Sequence, residues 1–183
     1  GNGPRAVAIN PHTNRAYVAN LWGNTVTVID GSTLDTTVVP VGAVPFGIAV
    51  NPVTNRIYVT NYNDNNVTEI NGEDNSTRTI AAGTGPSYVA VNQITDQVFV
   101  ANYTDGTVTV FGGPSSETRT VTVGRQPMEI VVDPVADKAY VACWGSGEVW
   151  VIDGSTCAST SFASGSGTGQ LAVNPVTGQL FVL

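Results

Sequence analysis

Apolar residues in this chain fall in short runs, and polar turn residues separate them. One stretch reads Phe46–Asn51, Arg56–Asn61, Asn66–Asn71 and Thr77–Ala82. Between these lie Asn51-Pro52-Val53-Thr54-Asn55, then Tyr62–Asn65, then Asn71-Gly72-Glu73-Asp74. Short runs rich in Val, Ile, Thr and Tyr, bounded by Gly, Pro, Asn and Asp, predict strands. The brief connections predict hairpins. No segment keeps an apolar period of about 3.6 residues, so almost no helix is expected.

The runs also repeat. Pro4, Pro45, Pro86 and Pro127 are spaced 41 residues apart, without insertion. Asn10-Pro11, Asn51-Pro52, Asn92-Gln93, Asp133-Pro134 and Asn174-Pro175 follow the same spacing. A fixed period of about 20–50 residues marks a solenoid, a propeller or an array. Four antiparallel strands per period predict the blade of a β-propeller. A proline suits the start of an innermost strand, where a missing N–H is tolerated. Gly42, Gly83, Gly124 and Gly165 suit tight crossovers to the next blade.

The expected organisation is a single all-β domain over 1–183. Its blades are 4–44, 45–85, 86–126 and 127–167, with a half-blade of two strands at 168–183. The inter-blade core is expected from Val7, Ile9 and their equivalents in the inner strands. Val26, Val67, Val108 and Val149 should supply it in the third strands. Val39, Ile80, Val121 and Phe162 should supply it in the outer ones.

Tyr58-Val59-Thr60-Asn61, Pro45-Phe46-Gly47-Ile48-Ala49-Val50-Asn51-Pro52 and Asn24-Thr25-Val26-Thr27-Val28-Ile29-Asp30 resemble the YVTN β-propeller repeat family. The resemblance covers the whole chain. It implies a seven-bladed ring in a surface-layer or other exported protein, and an extracellular, cell-surface or periplasmic place. Four and a half repeats are fewer than such a ring holds. A fragment of a longer propeller is therefore expected, its open blade edges covered by further chain or another subunit. The fold does not imply one reaction.

Composition narrows the partners. Net charge is −7 with a single lysine, Lys138, and no basic cluster. That argues against nucleic acid and against docking to anionic lipid. No apolar run approaches the roughly 18–20 residues of a membrane helix, so no membrane insertion is expected. Cys143 and Cys157 are the only cysteines. They could form a bridge or a metal pair, or stand as two independent small residues. Two thiols with one distant histidine make no zinc set. Their predicted positions at opposite ends of a strand exceed the reach of a disulfide.

Candidate chemistry is sparse. His12 lies in a turn with no evident Ser or Cys partner, where other repeats hold Val or Ile. Asp30, Asn71 and Asp153 precede hairpin turns and read as caps rather than metal ligands. No metal and no cofactor is expected, and no C-x-x-C-H haem-attachment motif is present. Asn20, Asn61 and Asn102 recur and should bond to backbone near the next turn. The series Leu21, Tyr62, Tyr103, Trp144 reads as packing. Asn66 and Asn75 head glycosylation acceptor triplets, with Asn75 the more accessible; Asn102 heads a third.

Positions that escape the period are the better functional signal. They cluster on the rim formed by the crossovers and the second-to-third strand turns. Arg5, Trp22, Phe46, Asp64, Tyr88, Asp105, Arg125, Met128 and Glu129 would form a mixed surface around the central channel. Aromatics and Arg dominate such binding patches. The favoured reading is a non-catalytic scaffold or interaction module with a protein or glycan partner. The alternative is a lactonase- or lyase-type enzyme using Asp64, Asp105 or Glu129.

Overall fold

The computed structural model describes residues 1–114 and 117–183. The first sheet orders β1 (Pro4–Asn10), β2 (Arg15–Asn20), β3 (Thr25–Asp30) and β4 (Thr36–Pro40). The second orders β5 (Pro45–Asn51), β6 (Arg56–Asn61), β7 (Asn66–Asn71) and β8 (Thr77–Ala81). The third orders β9 (Pro86–Asn92), β10 (Gln97–Asn102), β11 (Thr107–Gly112) and β12 (Arg119–Thr122). The fourth orders β13 (Pro127–Asp133), β14 (Lys138–Cys143), β15 (Glu148–Asp153) and β16 (Ser159–Ala163). β17 (Leu171–Asn174) and β18 (Gln179–Val182) pair as a fifth, two-stranded sheet. Neighbouring strands run antiparallel throughout, and the described residues contain no helix. The fold is a partial β-propeller.

Apolar side chains fill the layers between successive sheets. Tyr17, Ala19 and Val39 of the first sheet pack with Ile57, Val59 and Ile70 of the second. Phe99 and Val121 of the third pack with Ile130, Val141 and Ile152 of the fourth. Val26, Val67, Val108 and Val149 are fully buried. Each such side chain contributes about 1.5–3 kcal/mol relative to exposure. β10 is buried along its whole length, which explains a second strand that is apolar without strict alternation.

Three expected core residues lie elsewhere. Val7 and Ile9 are exposed, because no sheet of this chain covers that face of the first blade. Phe162 is exposed in β16, an outer strand that is almost entirely at the surface. The outer strands are short and bury little; β8 has no fully buried residue.

Polar ties fix the distance between sheets. Asn10 Nδ2 donates to Asn55 Oδ1 at 2.8 Å, Asn51 Nδ2 to Asp96 Oδ1 at 2.6 Å, and Asn92 Nδ2 to Asp137 Oδ1 at 2.7 Å. Each donor's own Oδ1 caps its turn; that of Asn92 accepts from the N–H of Ile94 and Thr95. The acceptors Asn55, Asp96 and Asp137 are left-handed, with φ of 53°, 58° and 51°. Asn and Asp tolerate that conformation better than most residues. The tie lapses at the fifth sheet, where Asp133 has no amide to donate and Gly178 has no side chain to accept.

Val44 departs from this order. Gly3, Gly85 and Gly167 hold its equivalent position with positive φ and Gln126 holds it at φ 53°, whereas the β-branched Val44 sits at φ 58°. A β-branched residue there is strained by about 1–2 kcal/mol. Val44→Gly should raise stability by about 1 kcal/mol in urea unfolding, after the glycine's greater unfolded-state entropy is subtracted. Asn92→Ala should lower it by roughly 2–3 kcal/mol, since it strands two turn N–H groups and an inter-sheet acceptor. Equal midpoints for Asn92→Ala and the parent would remove the ladder from any role in stability.

Candidate functional site

A β-bulge interrupts each four-stranded sheet's inner strand just after its leading proline. The register slips between Pro4 and Ala6, between Pro45 and Ile48, opposite Ala101 and Asn102, and between Pro127 and Glu129. Arg5, Ser87 and Met128 are the residues skipped in three of the sheets, and Phe46 with Gly47 in the second. A bulge re-aims side chains and relieves them of pairing constraints. That is why these positions vary from blade to blade while the proline before them repeats.

Two bulge residues, a turn residue and a paired strand residue assemble one cluster across three blades. The Arg5 guanidinium lies 4.0 Å from the centroid of the Phe46 ring. Tyr62 and Tyr88 flank the same ring at 5.9 and 5.8 Å, the latter edge-on at 75°. Cation–π contact at an exposed site is worth about 0.5–1 kcal/mol. The three rings are half-buried and held by one another, and Arg5 is exposed. Tyr62, read from sequence as packing, belongs to this site. Its signal was the aromatic series Tyr62 and Tyr103 lying one residue beyond the second strand.

A second hollow of about 280 Å³ lies between the third and fourth sheets. Asp105 and Arg125 line it together with Tyr103, Gln126 and Gly145. Arg125 Nη2 donates to the carbonyl of Gly145 at 2.9 Å. Trp22 stands apart, 68% exposed, its indole lying over Gly3, where a Cβ would come within 2.3 Å of Cδ1. Met128 is half-buried at its bulge.

The rim carboxylates have structural partners. Asp64 Oδ2 accepts from the N–H of Ala43 at 2.8 Å, and Asp105 Oδ2 from that of Thr84 at 2.5 Å. Both thereby fasten the crossover between blades. Glu129 Oε2 accepts from the N–H of Leu171 at 3.2 Å and ties the fourth sheet to the fifth. Burial pushes the Glu129 carboxyl above its usual range, and the Leu171 N–H opposes that shift. His12 is exposed, with Nδ1 2.9 Å from the carbonyl of Pro52. Among the described residues no three His, Cys, Asp or Glu side chains converge as metal ligands. Asp30 and Asp153 cap their hairpins, and hydrogen bonds from Ser155 and Thr156 lower Asp153 to about 2.

Two sequence readings change on inspection of the contacts. Asn20, Asn61 and Asn102 bond to side chains of the third strand, not to backbone. Asn102 Nδ2, for example, reaches Thr107 and Thr109 Oγ1 at 3.0 and 2.9 Å. Asn75 is half-buried, not freely accessible: its Oδ1 is enclosed, beside the cleft between the first two sheets. Asn66 is half-buried, and its Oδ1 accepts from Asn61 Nδ2 at 2.7 Å.

No protein-family profile matches the chain, and no curated protein matches it. Solved structures do. Hydrazine synthase from Kuenenia stuttgartiensis superposes with a TM-score of 0.83 at 21% identity, over 98% of this chain and 55% of that one. The β-propeller domain of Cps50 (Swd1) from Myceliophteria thermophila gives 0.79 at 13%, over 100% and 62%. A candidate 6-phosphogluconolactonase from Bacteroides uniformis gives 0.74 at 15%, over 98% and 62%. At these identities the likeness is one of fold, and this chain spans less than two thirds of each of the three.

The cysteines give a direct check on the fourth blade. Both are unbridged. Cys143 is buried in β14, and burial pushes its thiol up to about 12. Cys157 is half-buried in the hairpin after β15, with Arg119 Nη1 3.9 Å from its sulfur. A thiol raised so far is almost wholly protonated at pH 8, and the thiolate is the nucleophile. An aromatic disulfide reagent at pH 8 should therefore label Cys157 in the folded protein, and Cys143 only after urea is added. Two thiols labelled at one rapid rate in the folded state would refute the burial.

Proposed function

We propose that this propeller is a non-catalytic interaction module that binds a partner through the rim around its channel. The observation that carries the reading is the cluster of Arg5, Phe46, Tyr62 and Tyr88, drawn from three blades to one surface. Arg and aromatic groups are the side chains that dominate binding energy at interfaces. Arg5 and Phe46 sit on bulges, where the scaffold demands no particular residue. Asp64, Asp105 and Glu129 each hold a backbone N–H, which favours structural duties over acid–base work.

The repeated tetrapeptide and its flanks support membership of the YVTN repeat family. That membership in turn supports an exported protein working at the cell surface or in the periplasm. A protein or glycan of the cell envelope fits the site, since its surface offers aromatic edges with one guanidinium and no basic patch. The propeller fold itself is shared by enzymes and by non-enzymes, so it ranks neither reading above the other.

Immobilised parent protein and an Arg5→Ala, Phe46→Ala, Tyr88→Ala variant would be compared for retention of purified envelope fractions. Single hot-spot truncations typically cost about 1–2 kcal/mol or more, so the triple variant should bind at least about a hundredfold more weakly. Unchanged retention by a folded variant would end the rim reading.

A further inference from the structure

Away from the rim, the second and third sheets enclose a cleft of about 510 Å³. A groove of about 270 Å³ between the first and second sheets shares three of these positions, with Arg15, Val28 and Thr37 standing where the cleft has Arg56, Glu69 and Arg78. The exchanges at those positions are informative. The smaller holds Val28; the larger holds Glu69 in the same place, where the third and fourth repeats have Val110 and Val151. Glu69 is only 8% exposed. A carboxylate in a slot that the fold fills with valine is unfavourable unless paired.

Two arginines pair with it. Arg78, directly opposite on β8, donates from Nη2 to Glu69 Oε2 at 2.5 Å. Arg56 Nη1 lies 3.8 Å from Oε1. In the smaller groove the equivalent Arg15 donates to the carbonyl of Gly72 at 2.6 Å; Asp30 stands opposite it on β3, with no ion pair between them. Arg56 has turned to Glu69 instead. A further departure lies in the same wall: Gly112 replaces the hairpin caps Asp30, Asn71 and Asp153 and sits at φ 75°, where a Cβ would come within 2.5 Å of the Asp96 carbonyl. Asp96, across the cleft, is held by Asn51 Nδ2 and Thr54 Oγ1.

Both arginines keep outward N–H groups at the mouth, with side-chain exposures of 39% for Arg56 and 68% for Arg78. A guanidinium presents a planar fork that matches a carboxylate. Tyr58 and Phe111 are buried edge-to-face against each other and offer no open stacking plate. The remaining wall is Ile80, the hydroxyls of Thr54 and Thr118 and the backbone of Gly112 and Gly113, which leaves polar groups for a hydroxylated body. The volume lies within the roughly 300–1,000 Å³ of small-molecule sites. We propose that this cleft binds a hydroxylated carboxylate of sugar-acid size, with Arg56 and Arg78 taking the carboxylate and Glu69 positioning them. The site is separate from the rim, and its fate is independent of the rim reading.

The test is a titration of the ¹⁵N-labelled chain with glucuronate, with glucose and sulfate in parallel arms. Expected are saturable shifts of the Arg56 and Arg78 Nε–H and the Gly112 and Gly113 amide signals with glucuronate alone. Arg78→Gln should weaken this at least about tenfold, as loss of one charge-assisted bond implies. Glu69→Val restores the residue of the other repeats, so it should fold with an unchanged or higher Tm while losing glucuronate affinity about as far. Equal shifts with glucose, equal or exclusive shifts with sulfate, no response at all, or parent-like affinity in Glu69→Val would each overturn the proposal.

Discussion

The structure depends on the side-chain tie between each blade's first turn and the next blade's left-handed residue. Asn10, Asn51 and Asn92 each cap their own turn with Oδ1 and reach forward with Nδ2. The residue they reach, at 55, 96 or 137, also holds the following hairpin through its carbonyl, which accepts from Gly72, Gly113 or Gly154. One buried amide thus joins two turns of one blade to one of its neighbour. An unpaired buried amide is expensive, so the spacing between sheets is fixed tightly. Only at that spacing do Tyr17, Phe99 and the recurring valines fill the layers without gaps.

A rigid disc of this kind separates scaffold from surface. The ladder and the valine layers occupy the positions that repeat. The bulge residues after each proline lie outside both, so Arg5, Phe46 and Met128 can differ without disturbing a neighbour. Asp64 and Asp105 show the intermediate case. They vary from Gly23 and Ser146 in the other blades, yet they still hold a crossover N–H. Variation alone therefore does not mark a binding residue; variation at a position with no backbone duty is the stronger sign.

Much of this was legible in the sequence, for a physical reason. Strand placement, hairpins and the second- and third-strand core follow from local chemistry that recurs at each repeat, and the repetition multiplies a weak signal. What was not legible depends on contacts between repeats. Val7 and Ile48 occupy the same slot, and only the presence of a preceding sheet distinguishes exposed from packed. The stacking of Arg5 on Phe46 joins residues 41 apart through bulges that no single repeat announces. Asn75 looked accessible as a turn residue, but its side chain folds toward the cleft beside the first blade. Glu69 is visible in the sequence as a break in a valine series, but its pairing depends on Arg56 and Arg78 from the strands on either side.

The two most conspicuous breaks in the period differ in kind. In the fourth blade Cys143, Glu148 and Trp150 replace the Asn, Thr and Thr of the first and third. The exchange is self-consistent: Trp150 Nε1 donates to Glu148 Oε2 at 3.2 Å, and buried Cys143 needs no partner for a strong donor. A set of contacts was swapped for another set that satisfies itself within one sheet. The break at Glu69 does not close in that way. Its buried carboxylate is met by two arginines whose remaining donors face the cleft between the second and third sheets, and the neighbouring cap has become Gly112. Compensated departures preserve a scaffold; an arrangement that leaves donors turned toward open volume has chemistry to offer a ligand. By that physical criterion the cleft between the second and third blades, more than the fourth blade, is where this propeller departs from pure architecture.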